Sequence, residues 1–186
     1  MNAKMFALLL SSFALVACSQ QAETSVAADS TASAASQSSA AAPAGTTLTT
    51  ADGKISLQVA GTFQDQSSNA ELLPAGSDKN DIVLLQQDSA ADITLYVANL
   101  GKPKKDAAQY FGNLKADLQA DKGLSNLNIQ EASGDTISYS YQAEGVNESC
   151  TTLYSADALY QVCAHGTADA AQLSSITQSA QFVAKP

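Results

Sequence analysis

Two cysteines near the C-terminal end carry the clearest chemical signal in this chain. Cys150 and Cys163 lie on the segments 148–154 and 159–164, with Ser155-Ala156-Asp157-Ala158 between them. A hairpin turning on Ala156 and Asp157 pairs Ser155 with Ala158, Leu153 with Tyr160, Thr151 with Val162 and Cys150 with Cys163. Alternation from a hydrogen-bonded Ser155/Ala158 pair makes the cysteines a non-hydrogen-bonded pair, with Cα atoms about 4.5 Å apart. A disulfide accepts that separation. Closing a loop of this length is worth about 3 kcal/mol in the chain-entropy model. A redox-active pair would call for a C-x-x-C spacing, which is absent. Leu153, Tyr160 and Val162 fall on the opposite face and are the expected core residues.

The remaining reactive residue types make thin constellations. His165 is the only histidine, so no site that needs two can be built. No G-x-S-x-G elbow, P-loop or G-x-G-x-x-G run is present. Glu144 and Glu148 are the best candidate acid/base pair, and Asp78-Lys79-Asn80-Asp81 is the best oxygen-rich loop for a hard cation. Neither has a motif's spacing; a solvated turn is the simpler reading of the second. Asn147-Glu148-Ser149 matches a glycosylation acceptor, a pattern short enough to arise by chance. The expectation is a protein that is not an enzyme, with no catalytic residue, no metal site and no cofactor.

The third cysteine sits at the other end. Lys4 precedes the apolar run 5–10, which continues through 13–17 to Cys18, the layout of a secretory signal. The run is shorter than the roughly 20 residues a permanent span needs. Its end, Leu15-Val16-Ala17-Cys18, matches the bacterial lipobox, in which the sulfur takes a diacylglycerol and cleavage frees an amine for a further acyl chain. One chain anchors marginally; two or three on one residue hold. An ordinary signal that happens to meet a cysteine is the alternative. Residues 1–17 are thus expected to be removed, leaving Cys18 lipidated. Ser19, where an aspartate would favour inner-membrane retention, points to an outer-membrane lipoprotein facing the periplasm, with surface exposure as the variant.

Residues 18–47 are almost wholly Ser, Ala, Thr and Gln, which cannot offset ordering entropy and read as a disordered tether. Its coil dimension is about 30 Å. Residues 48–186 are one globular domain by length. The formal charge of −9 argues against a nucleic-acid partner and against an electrostatic grip on anionic lipid.

Within the domain, the alternation of Ile55, Leu57 and Val59, of Ile93, Leu95 and Val97, and of Ile137, Tyr139 and Tyr141 predicts strands. The run 82–85 adds a strand in a hairpin with 93–98, and 127–129 a short one. The polar partners Thr136, Ser138 and Ser140 are expected to face solvent, and 61–80 to be a long loop. Ala107, Tyr110, Phe111, Leu114 and Leu118 recur at helical spacing, so 104–121 is predicted helical, with Pro103 before it and Gly123 as its stop. A second helix is predicted over 167–180, capped by Thr167 and striped by Leu173, Ile176 and Ala180, before Phe182-Val183 closes as a short strand. The order implies an α+β fold with an antiparallel sheet flanked by helices.

That order resembles the DcrB family of bacterial lipoproteins, whose domain is a PsbP-like α/β/α sandwich. The resemblance runs through Cys18 and its polar tether, Asp52-Gly53-Lys54-Ile55-Ser56-Leu57 with Asp65-Gln66-Ser67, the strand 93–97, the helix 110–118, the hairpin region 154–162 and the closing helix. It covers nearly all of the chain after Cys18. Ser19 and the Cys150/Cys163 pair depart from the family pattern. The resemblance implies a compact envelope lipoprotein tied to envelope integrity or lipoprotein handling, and it transfers no catalytic residue. The expected function is a lipid-anchored, non-catalytic binding or structural role in the cell envelope, with an envelope protein as partner. The alternative is a surface-displayed adhesin or inhibitor of a host or environmental macromolecule.

Overall fold

A computed structural model describes residues 45–73, 77–130 and 133–184. The signal at 1–17, Cys18 and most of the tether lie outside the described residues. Among the described residues the fold is mixed α+β, with two helices and two antiparallel sheets of three and seven strands. Among the described residues no helix is long and apolar enough to cross a membrane.

The small sheet has the order β1 (Thr46–Thr49), β2 (Ile55–Val59), β10 (Gln181–Phe182). Thr46 and Thr47, assigned to the tether by composition, pair with Val59 and Gln58, because a neighbouring edge offers ladder bonds that composition does not register. The large sheet runs β3 (Gln64–Asp65), β4 (Ile82–Asp88), β5 (Ile93–Asn99), β9 (Leu159–Gly166), β8 (Val146–Tyr154), β7 (Thr136–Ala143), β6 (Ser125–Ile129). Strands β4 and β5 form the expected hairpin. The segment 61–80, expected to be loop, contributes β3 and two 3-10 turns, Ala70–Leu72 and Lys79–Asp81.

The β8–β9 hairpin has the register counted from sequence, with Leu153 opposite Tyr160, Thr151 opposite Val162 and Cys150 opposite Cys163. Ser155 closes the turn, its N–H donating to the Ala158 carbonyl at 2.9 Å and its Oγ accepting from the Ala158 N–H at 3.0 Å. The two cysteines are disulfide-bonded, with Cα atoms 4.1 Å apart.

Two cores lie on opposite faces of the large sheet. On one, Ile93, Leu95, Val97, Leu153, Tyr160 and Val162 pack with Ile55, Leu57 and Val59 of the small sheet and with Leu173 and Ile176 of helix α2 (Ala170–Gln178). On the other, Leu85, Tyr96, Tyr139, Cys150 and Cys163 are met by Leu114 and Leu118 of helix α1 (Ala107–Ala120) and by Leu72, Leu73 and Ile82. Ser138 and Ser140 do not face solvent as alternation predicts. They are buried with Ser149, Thr151 and Thr177 on the face that α2 covers. Hydroxyl pairs make this burial tolerable: Ser138 with Thr151 at 2.9 Å, and Ser149 with Ser174 at 3.0 Å and Thr177 at 3.2 Å.

Both helices start on the same four residues. Asp106-Ala107-Ala108-Gln109 and Asp169-Ala170-Ala171-Gln172 each place an aspartate at the cap, accepting from the glutamine N–H at 2.9 and 2.8 Å. Asp169, not Thr167, therefore caps α2. Thr167 Oγ1 instead donates to Asp92 at 2.8 Å. Helix α1 ends at Ala120 with Asp121 as its cap; Gly123, the expected stop, donates its N–H to Asp121 Oδ1. A side-chain acceptor satisfies the exit here without a left-handed glycine. Gly166 is fixed by contact: its φ is +154°, and a Cβ there would lie 1.8 Å from the Asp92 carbonyl oxygen.

Because the disulfide closes a loop inside an otherwise paired hairpin, Cys150→Ala/Cys163→Ala should keep the fold and lose about 3 kcal/mol in urea denaturation. A loss below about 0.5 kcal/mol would show that the ladder alone fixes the hairpin.

Candidate functional site

The cysteines share their sheet face with an unusual polar group. Glu148 stands two residues before Cys150 and opposite His165 on β9. Its Oε1 lies 3.6 Å from Cys150 Sγ and accepts from the Tyr96 hydroxyl at 3.1 Å; Tyr141 also donates to it. Burial first, and the Glu148 charge second, hold the Tyr96 and Tyr141 hydroxyls far above the ordinary phenol range. Both stay protonated and serve as donors. Burial pushes Tyr139 up to about 12, and its hydroxyl accepts from Gln161 Nε2 at 2.6 Å. The rings of Tyr139 and Tyr141 stack with centroids 6.3 Å apart.

This arrangement orders the Glu148 carboxylate. Glu148 and the two sulfurs lie within 4.8 Å of one another, but sulfurs bonded to each other are not thiolate ligands. Glu144 shares a groove of about 410 Å³ with Glu148, His165 and Asp121. It sits in the two-residue turn Glu144-Gly145 between β7 and β8, where both residues have positive φ. Glu144 is thus a turn residue and Glu148 a hydrogen-bond acceptor, and the two carboxylates considered as a pair from sequence share this groove. His165 is half-buried; its Nδ1 is enclosed without a hydrogen-bond partner, and its ring tilts against Tyr96 at 6.1 Å. Desolvation depresses its pKa, against the opposing charges of Glu148 and Asp92.

The other sequence candidates resolve as local structure. Asp78 caps the turn Lys79–Asp81 through the Asn80 N–H at 2.9 Å. Asn147 donates its amide to the Ala168 carbonyl at 3.0 Å and Ser149 is buried, so the glycosylation pattern lies inside the fold. Cys18 lies outside the described residues. Asp52 has an unforeseen role in joining the two sheets. It accepts from Tyr160 Oη at 2.6 Å, Thr50 Oγ1 at 2.6 Å and the Lys54 N–H at 3.1 Å. Partial desolvation acts to raise its pKa, and these hydrogen bonds hold it below the usual carboxylate value. Asp88 is also lowered, first by the Thr62 N–H at 2.8 Å.

Sequence reasoning missed a second groove, also about 410 Å³, between the loop 100–106 and α1. Leu100, Pro103, Tyr110, Leu114 and Leu159 form its apolar surface, and Lys102, Lys104 and Lys105 stand around it. The loop is pinned. The Leu100 N–H donates to Leu159 O at 2.8 Å, the Leu159 N–H to Gly101 O at 2.9 Å, and Tyr154 Oη to the Lys105 carbonyl at 2.7 Å. Three lysines in four residues, next to a leucine and ahead of a helix, were the available signal.

No protein-family model and no curated protein matches this chain.

The half-buried histidine gives a pH signature. Its folded pKa lies below the ordinary 6.5, so the unfolded chain binds a proton that the folded chain refuses. Stability should fall as pH drops below about 6.5, with a further loss below about 3.8 as Asp52 and Asp88 are protonated. In urea melts across pH 4.5–7.5, roughly the range in which histidine titrates, His165→Gln should flatten the upper limb. An unchanged slope would show that His165 is not its source.

Proposed function

We propose that this chain is a lipid-anchored cell-envelope protein whose domain binds another envelope component and does not catalyse a reaction. The observation that carries this reading is the Cys150–Cys163 bond. Disulfides persist in oxidising compartments and are rare where thiol reductants circulate, so the bond favours an exported domain. Export agrees with Leu15-Val16-Ala17-Cys18, whose cysteine is the third of the chain's three and stands apart from the pair. On this reading one cysteine takes lipid and two staple the domain.

A DcrB-like identity with a PsbP-like α/β/α sandwich is part of the proposal. It is supported by the order of elements and by helices on opposite faces of an antiparallel sheet. The non-catalytic reading is supported by what the polar groups do: Glu148 is engaged by tyrosines, Asp52 ties the two sheets, and the buried serines and threonines bond one another. Ser19 favours the outer membrane, with the domain facing the periplasm.

The anchor is tested by metabolic labelling with an alkyne analogue of palmitate. The native chain should label and Cys18→Ala should not; a label that survives the substitution refutes the anchor. Protease treatment of intact and permeabilised cells tests orientation. The domain should resist the first and yield to the second, and cleavage on intact cells would favour the surface-displayed alternative.

A further inference from the structure

The groove beside α1 combines two features that do not usually share a site. Its surface is apolar, built from Leu100, Pro103, Leu114 and Leu159, with Tyr110 beside them. Its charge is cationic in a chain whose net charge is −9: three of the nine basic residues, Lys102, Lys104 and Lys105, line it, against one carboxylate, Asp117. We propose that this groove is a binding site for a single-chain anionic amphiphile, a long-chain carboxylate, with the alkyl chain along the leucines and the carboxylate among the lysines.

Each part of the site excludes a different ligand. A small inorganic anion would leave the leucines in water, and a neutral hydrocarbon would gain nothing from the lysines. The volume of about 410 Å³ falls among small-molecule pockets, which run from about 300 to 1,000 Å³. Leu100 is 41% exposed, apolar surface that an occupant would cover. Lys102 has a partner, Asp157, at 3.5 Å, but both side chains are largely in solvent, where such a pair is worth little. Lys102 is therefore able to turn to a ligand at small cost. The pinned backbone of the loop fixes where the lysines leave the chain before binding, so a ligand need order only their side chains. Tyr110 keeps its phenol proton through burial and offers a neutral donor at the groove.

This assignment rests on reading the domain as a non-catalytic binding module, and it names the ligand class. The test uses the full-length Cys18→Ala chain without detergent, so that neither a covalent lipid nor a micelle competes. Calorimetric titration with dodecanoate below its micellar range should give one saturable site. Shortening to decanoate and octanoate should weaken binding about fourfold per methylene, the affinity equivalent of the transfer free energy of one CH2. The surface variants Lys102→Gln/Lys104→Gln/Lys105→Gln and Leu100→Asn should each cost about tenfold, equal to 1.4 kcal/mol. Dodecyl maltoside, with the same chain and no charge, should bind at least about tenfold more weakly.

Equal affinity for dodecanoate and dodecyl maltoside would overturn the proposal, as would binding that survives both sets of substitutions. So would the absence of saturable binding. None of these outcomes touches the palmitate label on Cys18 or the protease result, so the ligand assignment fails separately from the anchored-envelope reading.

Discussion

The pairing of β8 with β9 is the constraint on which the rest of the structure depends. These two strands occupy the middle of the seven-stranded sheet, so β5 takes its register from β9 and β7 from β8. A slip of one residue would turn one strand of the hairpin over relative to the other. It would put Leu153 on the opposite face from Tyr160 and Val162, and Cys150 on the opposite face from Cys163. The disulfide forbids that slip covalently, since only one register brings Cys150 opposite Cys163. The bond therefore keeps Leu153, Tyr160 and Val162 on one face as well as limiting the unfolded chain.

A sheet buried on both faces must then accommodate its polar residues. On the α2 face the hydroxyls of Ser138, Ser149, Thr151 and Thr177 have partners, and the apolar stripe of α2 packs beside them. On the α1 face the same problem is larger, because a carboxylate is involved. Glu148 sits among three tyrosines and a disulfide, and hydroxyl donors offset its partial loss of water. The sequence shows this carboxylate but not the hydroxyls that surround it in the fold. Its partners come from β7, which lies next to β8, and from β5, which lies beyond β9.

The two faces are also covered unequally. The small sheet and α2 together close one face, and Asp52 fastens that layer to Tyr160 of β9. The other face has α1 and the segment around Leu72 and Leu73 as its cover, and Phe111 is the only residue of α1 that is fully buried. Grooves remain beside α1. The one next to the loop 100–106 joins apolar walls to lysines, and it gives the domain a surface suited to binding where the rest of its charge is acidic.

The sequence by itself determined what depends on short spacing. Alternation located β2, β5 and β7, helical periodicity located α1, and counting from a two-residue turn set the cysteine pair, because each rests on backbone geometry within a few residues. The lipobox reading of Cys18 also rests on local spacing, and it belongs to the proposal. Only the tertiary structure decided which faces are covered. Ser138 and Ser140 alternate as solvent-facing residues should, yet α2 folds over them from about thirty residues downstream, a separation that no periodicity in β7 encodes. The Glu148 cluster and the groove between 100–106 and α1 were hidden for the same reason. Each gathers side chains from strands and loops far apart in the chain, and their proximity is fixed by sheet order, which is a property of the whole fold.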